Sequence, residues 1–265
     1  MSTTDDPLDE AWRLLEEGGP DQALEASEAL DEASVETWVL RATALLDLAR
    51  VDEAAAACEQ AEVLGGLKDP GVLWARGEVA LFRWDIDEAD RCYASILDEQ
   101  REPAALERLA LVRDLQERFD EADALLAEAA RIDPGLHPMP PRLEDEALDR
   151  VIEAAAAALP DELRQHLDEI PIVVEPMPPL ELGRSGDPSE VPPDLLGLFV
   201  GSSLLERSED DPVGGVPRIY LFQRNIERAC QDEDEAVEQV RVTLYHELGH
   251  YIGFDEGGVE GLGLG

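Results

Sequence analysis

The stretch from His246 to Glu256 reads His-Glu-Leu-Gly-His-Tyr-Ile-Gly-Phe-Asp-Glu, and it decides how the second half of this 265-residue chain is expected to fold. Residues four positions apart share one face of an α-helix, so a helix brings His246 and His250 together, where both imidazoles can bind one metal ion. Glu247 lies beside the first histidine, where a carboxylate can take a proton from a metal-bound water. The stretch predicts a catalytic metal site on a helix.

The predicted helix has a separate face for packing. Acidic residues favour the amino-terminal end of a helix, so it is expected to begin near Asp234 or Glu235. Its apolar stripe consists of Val237, Val240, Leu244, Leu248 and Tyr251 or Ile252. The face that carries Thr243, the two histidines and Glu247 lies to one side of this stripe. That arrangement favours metal binding over the alternative, in which both histidines are structural.

The chain is strongly acidic, with 62 acidic and 21 basic residues and a net charge of −41. Such a surface repels nucleic acids and anionic membranes, so neither is expected as a partner. Solvation and salt tolerance explain the acidity most simply. Attraction of a basic partner or substrate is the second explanation, and the composition leaves it open.

The cysteines and the amino terminus predict the compartment. Cys58, Cys92 and Cys230 are scattered and form no Cys-x-x-Cys pair, which predicts reduced thiols in the core rather than a disulfide framework. Among the side chains of the first six residues, only those of Asp5 and Asp6 carry charge, and no apolar run follows them. We therefore expect no signal peptide, no transmembrane helix and a cytoplasmic protein.

The first half of the chain is repetitive. Related phrases occur at Val51-Asp52-Glu53-Ala54, Ile86-Asp87-Glu88-Ala89 and Phe119-Asp120-Glu121-Ala122, with a weaker copy at Pro20-Asp21-Gln22-Ala23. Their alanines are 31, 35 and 33 positions apart, close to the period of about 34 of a helix-turn-helix repeat. Twelve positions before each alanine there is another small residue: Ala11, Ala42, Gly77 and Ala110. Small residues allow two helices to cross closely, so each unit is predicted to be a helical hairpin.

This region, residues 1–134, resembles the tetratricopeptide repeat in its small-residue positions, its Asp-Glu-Ala turn and its closing Ile132-Asp133-Pro134. The resemblance implies a curved stack of hairpins whose concave face holds a partner protein or peptide. A scaffold without a partner is the alternative. Three tryptophans are assigned to the core rather than to a recognition surface: Trp38, Trp74 and Trp84.

A proline-rich linker at 135–143 precedes a second domain at 144–265. A helix is predicted at about 144–158. Three extended runs follow, rich in β-branched and aromatic residues: Ile170 to Val174, Leu195 to Val200, and Ile219 to Phe222. The order of helix, strands and terminal helix predicts an α+β domain with a small sheet. The predicted fold is thus an all-α repeat array followed by an α+β domain.

The second domain resembles the bacterial minimal zincin-like metallopeptidases. The matching phrases are Ile170-Pro171-Ile172-Val173-Val174-Glu175, Leu196-Gly197-Leu198-Phe199-Val200-Gly201, Ile219-Tyr220-Leu221-Phe222 and Thr243-Leu244-Tyr245-His246-Glu247. The resemblance implies a mixed sheet and one zinc ion held by His246, His250 and Glu256, with Glu247 as the catalytic base. In related zincins the motif runs His-Glu-x-x-His-x-x-Gly-x-x and then has histidine or aspartate. This chain has Glu256 at that last position, so Asp255 is the alternative third ligand.

The resulting hypothesis is a zinc-dependent metallopeptidase whose repeat array binds a protein or peptide partner. A metal-binding but weakly active adaptor is one alternative, and a binding module with structural histidines is another. The strand at 219–222 is the expected edge for pairing with an extended substrate. Candidates for stabilising the oxyanion are Tyr245, Tyr251 and Arg218.

Overall fold

The computed structural model describes residues 6–31, 33–167, 170–185, 191–202 and 217–254. Its contacts divide the chain into two units, which are described in turn. The first unit comprises Met1–Asp133 together with Pro179–Pro193, and the second comprises Pro134–Pro178 together with Asp194–Gly265.

Residues 6–133 of the first unit are almost wholly helical where described. The helices are α1 (Pro7–Glu16), α2 (Pro20–Ser27), α3 (Val35–Asp47), α4 (Val51–Val63), α5 (Pro70–Phe82), α6 (Ile86–Glu99), α7 (Pro103–Leu115) and α8 (Phe119–Ile132), with a 3-10 turn at Gly66–Lys68. The helices pack in consecutive pairs, α1 with α2 through α7 with α8. Each repeated phrase forms the start of the second helix of a pair. The region is therefore consistent with the predicted repeat array.

The turn inside each pair also repeats. Gly18, Ala49, Trp84 and Glu117 all have positive φ, at 81°, 55°, 56° and 60°. After each of them, a main-chain N–H bonds back to the carbonyl five residues earlier: Gly19 to Leu14, Arg50 to Leu45, Asp85 to Ala80 and Arg118 to Arg113. This pattern closes the end of a helix. The same turn thus recurs at the spacing of the repeated alanines.

Small residues lie where the paired helices cross. The seven alanines at the predicted positions are fully buried: Ala11, Ala23, Ala42, Ala54, Ala89, Ala110 and Ala122. At the eighth position, a Cβ on Gly77 would lie 2.6 Å from the ring of Tyr93. The prediction of close helix crossings is confirmed.

A segment from late in the chain covers Trp84. Residues 179–193 belong to the first unit and include the short helix α11 (Leu180–Ser185). The indole Nε1 of Trp84 donates to the carbonyl of Val191 at 2.9 Å, and the ring lies so close to Gly183 that a Cβ there would be 1.9 Å away. Trp84 is consequently 7% exposed. Its burial agrees with the prediction, but the segment that buries it was not foreseen.

The second unit combines helices with a three-stranded sheet in its described part. Its elements are α9 (Asp145–Ala158), α10 (Asp161–Arg164), β1 (Ile172–Glu175), β2 (Gly197–Val200), β3 (Arg218–Phe222), α12 (Gln223–Arg228) and α13 (Glu233–Ile252). The strand order is β1-β3-β2, with β1 parallel and β2 antiparallel to β3. The predicted α+β architecture with a mixed sheet is confirmed.

One detail of the sheet contradicts expectation. The strand at 219–222 was expected to be a free edge, yet β3 is central. Ile219 is paired with Ile172 on one side and with Phe199 on the other. Both sides of β3 are therefore hydrogen-bonded, and an added peptide strand cannot pair there.

Helix α13 packs against α9 and the sheet. The predicted stripe is buried, with Val240, Leu244, Leu248 and Tyr251 fully covered and Val237 and Ile252 partly covered. The side chain of Asp232 caps the helix by accepting from the N–H of Glu235 at 2.9 Å. The helix therefore begins at Glu233, one or two residues earlier than predicted.

A buried carboxylate fixes the segment that leads into α9. Glu227 on α12 is 1% exposed and accepts hydrogen bonds from the N–H of Leu143 at 2.9 Å, from Arg142 Nη1 at 2.7 Å and from Gln223 Nε2 at 3.0 Å. A buried charge is tolerated only with such partners. The end of the proline-rich segment is thereby attached to the helix that precedes α13.

The three cysteines are buried and form no disulfide, as predicted. Burial, with nearby carboxylates as the next cause, raises the thiol pKa from 9.0 to about 11 for Cys58 and Cys230 and to about 12 for Cys92. Because these pKa values are raised, the thiols' contribution to stability is complete below pH 9 and is lost as the pH rises through 11 to 12.

We expect these thiols to resist alkylation in the native protein. At pH 8 the native thiolate fraction is roughly a hundredfold below that of an ordinary cysteine, and the thiolate is the nucleophile. Iodoacetamide labelling followed by mass spectrometry should show rates at least about a hundredfold slower in buffer than in urea. Rapid labelling of Cys58 in the native protein would contradict its burial.

None of the described helices has the length and apolar character needed to cross a bilayer.

Candidate metal centre

The two histidines of the motif converge at the end of α13. His246 Nε2 and His250 Nε2 are 3.0 Å apart, and their ring centroids are separated by 4.7 Å with the planes inclined at 73°. Helical spacing alone would place both residues on one face. The structure adds that both rings present the same nitrogen to one point.

This geometry fits a zinc ion. Two nitrogens about 2.0–2.1 Å from a tetrahedral metal are about 3.3 Å apart, so the observed pair needs only a small rotation to occupy two corners. Two Nε2 atoms at 3.0 Å can also share one proton in a direct hydrogen bond. Both arrangements require the same convergence of the rings.

The carboxyl-terminal end of α13 orients His250. Gly253 has φ 103°, a conformation that favours glycine, and its N–H bonds back to the carbonyl of Gly249 at 3.2 Å. The chain then turns so that the carbonyl oxygen of Phe254 lies 3.2 Å from His250 Nδ1. If Nδ1 carries the proton, it donates to this carbonyl and leaves the lone pair of Nε2 for a metal. The predicted end of the helix at Gly253 is confirmed.

Glu247 is held against the sheet. Its side chain is 6% exposed, and its Oε2 accepts a hydrogen bond of 2.6 Å from the N–H of Phe199 on β2. A main-chain donor on a strand restricts one carboxylate oxygen to a single position. The carboxylate is thus positioned before any substrate binds.

Close packing of β2 on α13 makes this bond geometrically feasible. A Cβ on Gly197 would lie 2.4 Å from Cγ2 of Thr243 and 2.9 Å from the carbonyl oxygen of Tyr220. Thr243 is one turn before Glu247, and Gly197 is two residues before Phe199. The absence of a side chain at Gly197 therefore lets the strand approach the helix.

We expect Gly197→Ala to separate β2 from α13. Overpacking of this kind lowers the free energy of unfolding by about 1–3 kcal/mol. Urea unfolding should show that loss, and hydrogen exchange should be faster at the Phe199 amide. The double variant Gly197→Ala/Thr243→Ser removes Cγ2 and should recover part of both effects. Unchanged protection of the Phe199 amide in the single variant would show that this contact is unimportant.

The remaining predicted ligands cannot be compared with the structure, because Glu256 and Asp255 lie outside the described residues. Among the residues that are described, no group of three or more histidine, cysteine, aspartate or glutamate side chains is arranged to hold a metal. The identity of the third ligand therefore stays a prediction.

An aromatic cluster beside the site was missed by sequence reasoning. The ring of Tyr251 makes edge-to-face contacts with Phe199 at 5.8 Å and with His166 at 5.6 Å. Tyr251 is fully buried, so it does not fit the expected role of oxyanion stabiliser. Its place in the apolar stripe was a signal for burial, whereas no pattern around His166 indicated its contact.

The strands and the motif helix lie within one recognisable region. Residues 167–264 match the model of the zincin-like metallopeptidase family. The match includes the three strands, α13 and both candidate third ligands. A comparison with functionally curated proteins gives no significant match. The family match supports a peptidase or metal-binding role for this part of the chain.

Proposed function

We propose that the second unit is a zinc-dependent peptidase. The observation that carries the proposal is the convergence of His246 Nε2 and His250 Nε2 to 3.0 Å with Glu247 between them on the same helix. Glu256 is proposed as the third ligand, with Asp255 as its alternative. A bound zinc ion would lower the pKa of its water and polarise the peptide carbonyl.

The chain's own residues have separate roles in this proposal. Glu247 accepts a proton from the attacking water and passes it to the leaving amine. The N–H of Phe199 keeps the Glu247 carboxylate in place at 2.6 Å. The carbonyl of Phe254 keeps the His250 ring oriented. These contacts support general acid-base chemistry at the imidazole pair.

The sheet suggests where a peptide would lie. Strand β2 pairs with β3 on one side, and the N–H of Phe199 is directed to Glu247 instead of to β3. Strand β2 is an edge of the described sheet and carries the contact to Glu247, so it replaces β3 as the proposed platform for an extended substrate, which would pair with outward main-chain groups other than the N–H of Phe199. This assignment places the peptide main chain alongside the general base.

The helical array is proposed to bind a protein or peptide partner. Its repeated pairs of helices support this role, because such arrays present extended surfaces to partners. The acidic chain favours a basic partner.

We expect His246→Ala and His250→Ala to abolish stoichiometric zinc binding. Removal of one ligand takes away a bond that the chain supplies for the metal, and neighbouring waters replace it poorly. After reconstitution with zinc sulfate and desalting, elemental analysis should find about one zinc per parent chain and below about 0.1 per variant. His137→Ala is the matched control and should bind as the parent does.

Two further variants locate the third ligand in the same assay. Glu256→Ala should lose zinc while Asp255→Ala keeps it; the reverse result would assign Asp255. Parent protein that binds less than about half an equivalent of zinc would overturn the metal site. If the parent protein binds zinc but does not cleave an unfolded protein such as casein, the alternative of a metal-binding but weakly active adaptor is favoured.

A further inference from the structure

A cavity lies along α13 next to the face that carries the imidazole pair. Its volume is about 240 Å³, and residues of α10 and of the end of α13 line it in the described part of the chain. Leu163, Ile252 and Phe254 contribute apolar walls, Tyr245 adds an aromatic ring, and Gly249 contributes no side chain. The proposed mechanism uses none of these side chains.

Residues that line the cavity are direct sequence neighbours of the two histidines on α13. Tyr245 and Gly249 each directly precede one of the two histidines on α13. Phe254 lines the cavity while its carbonyl oxygen lies 3.2 Å from His250 Nδ1. The cavity therefore lies on the flank of α13 next to the face that carries the two imidazoles, where a side chain of a peptide crossing that face could reach it.

Size restricts the occupant. Pockets that enclose a whole drug-sized ligand have volumes of about 300–1,000 Å³, and this cavity is smaller. One large side chain is a better match than an entire small molecule. The apolar walls favour a side chain such as leucine, methionine or phenylalanine, because its burial removes apolar surface from water.

Charge adds a second restriction. Among the described residues that line the cavity, Glu162 is the one that is charged, and it follows Asp161 at the start of α10. The whole chain carries a net charge of −41. A cationic residue next to the apolar side chain would therefore meet a favourable potential at the rim.

We propose that this cavity is a specificity pocket for an apolar side chain of a peptide substrate that also carries a neighbouring arginine or lysine. The proposal rests on the peptidase function proposed above and names the class of substrate for that site. Discrimination comes from the buried apolar contact, and Glu162 adds a smaller, salt-sensitive preference for the adjacent cation.

Binding tests the pocket without depending on turnover. Two capped hexapeptides that are identical except for leucine or aspartate at one position, each followed by arginine, are titrated onto full-length Glu247→Gln protein loaded with zinc. The leucine peptide should bind about ten- to a hundredfold more tightly. Adding Ile252→Trp fills the cavity and should remove most of that preference. Leu136→Trp, at a position that is 78% exposed, is the matched control and should leave it unchanged.

Two further variants, Phe254→Ala and Glu162→Gln, test the pocket in case Ile252→Trp fails to fold. Phe254 is 43% exposed, so Phe254→Ala removes one wall without opening the core and should weaken binding of the leucine peptide several-fold. Zinc content is measured in the same samples, because the main-chain carbonyl of Phe254 also contacts His250. Glu162→Gln should reduce the preference for arginine over alanine at the neighbouring position about two- to fivefold, and only at low salt.

These experiments distinguish a failure of the proposed pocket from a failure of the proposed peptidase function. Equal binding of the two peptides, or an unchanged preference in Ile252→Trp, would overturn the pocket even if the parent cleaves peptides. A leucine preference that Ile252→Trp removes would uphold the pocket as a peptide site even if no Glu247-dependent hydrolysis is found. If Ile252→Trp instead converts a dimer to a monomer without altering peptide binding, the cavity holds a second copy and the proposal fails. If deletion of residues 255–265 is needed before any leucine preference appears, the chain's own end occupies the cavity and the proposal also fails.

Discussion

Glu247→Gln is expected to reduce peptide hydrolysis by at least about a hundredfold while the protein retains its zinc. Glutamine has nearly the same shape as glutamate, and its amide oxygen can still accept the hydrogen bond from the N–H of Phe199. The amide cannot take a proton from water near neutral pH. The substitution therefore removes proton transfer and keeps the packing between α13 and β2.

The measurement pairs hydrolysis with metal content. Cleavage of casein or of a quenched peptide is followed for the zinc-loaded parent and variant, and bound zinc is measured in the same samples. Glu238→Gln is the matched control, because Glu238 lies on the same helix but is exposed and paired with Arg241. Its activity should equal that of the parent. If Glu247→Gln cleaves as fast as Glu238→Gln, Glu247 is not the general base. If it loses zinc together with activity, its role is structural.

Features set by local spacing were predicted correctly. His246 and His250 are four positions apart, and a helix alone places them on one face. Gly253 ends that helix because it adopts positive φ at low cost. The repeated phrases likewise predicted helical hairpins, and each of them begins the second helix of a pair. The positive φ of Ala49, Trp84 and Glu117 in the turns before them was not predicted.

Features set by contacts between distant segments were predicted poorly. Strand β3 was expected to be an edge strand, but its pairing with β1 and β2 makes it central. The hydrogen bond between Phe199 and Glu247 joins residues 48 positions apart. The burial of Trp84 by Val191 spans 107 positions. Hydrophobic patterns record which residues are buried, but they do not identify the segment that buries them.

The contacts of β2 also change how the motif is understood. A histidine pair with an adjacent glutamate is defined by five residues of one helix, yet the glutamate is positioned by a strand. The fit of Gly197 against Thr243 lets that strand approach, so a residue far from the motif helps to position the Glu247 carboxylate. In this chain the position of the Glu247 carboxylate therefore depends on β2 as well as on the helix that carries the motif.

Glu227→Ala is expected to lower the free energy of unfolding of the second unit by about 2–4 kcal/mol. The substitution leaves the buried N–H of Leu143 without its acceptor and opens a cavity under α12. Arg142 is 28% exposed and can regain water, which keeps the loss below that of a fully buried ion pair. Glu227→Gln retains an acceptor and should lose less.

The loss of stability in Glu227→Ala should be detectable in the segments that Glu227 contacts. Hydrogen exchange measured by mass spectrometry in increasing urea should show earlier opening of segments 143–158 and 218–252, which contain α9, β3, α12 and α13. Glu233→Ala is the matched control, since Glu233 pairs with Arg150 at the exposed surface and should cost less than about 1 kcal/mol. Because α12 precedes the helix that carries both histidines, Glu227→Ala should also weaken zinc binding, and saturating zinc should restore part of the lost stability. Equal opening in Glu227→Ala and Glu233→Ala would show that the buried carboxylate does not hold this unit together.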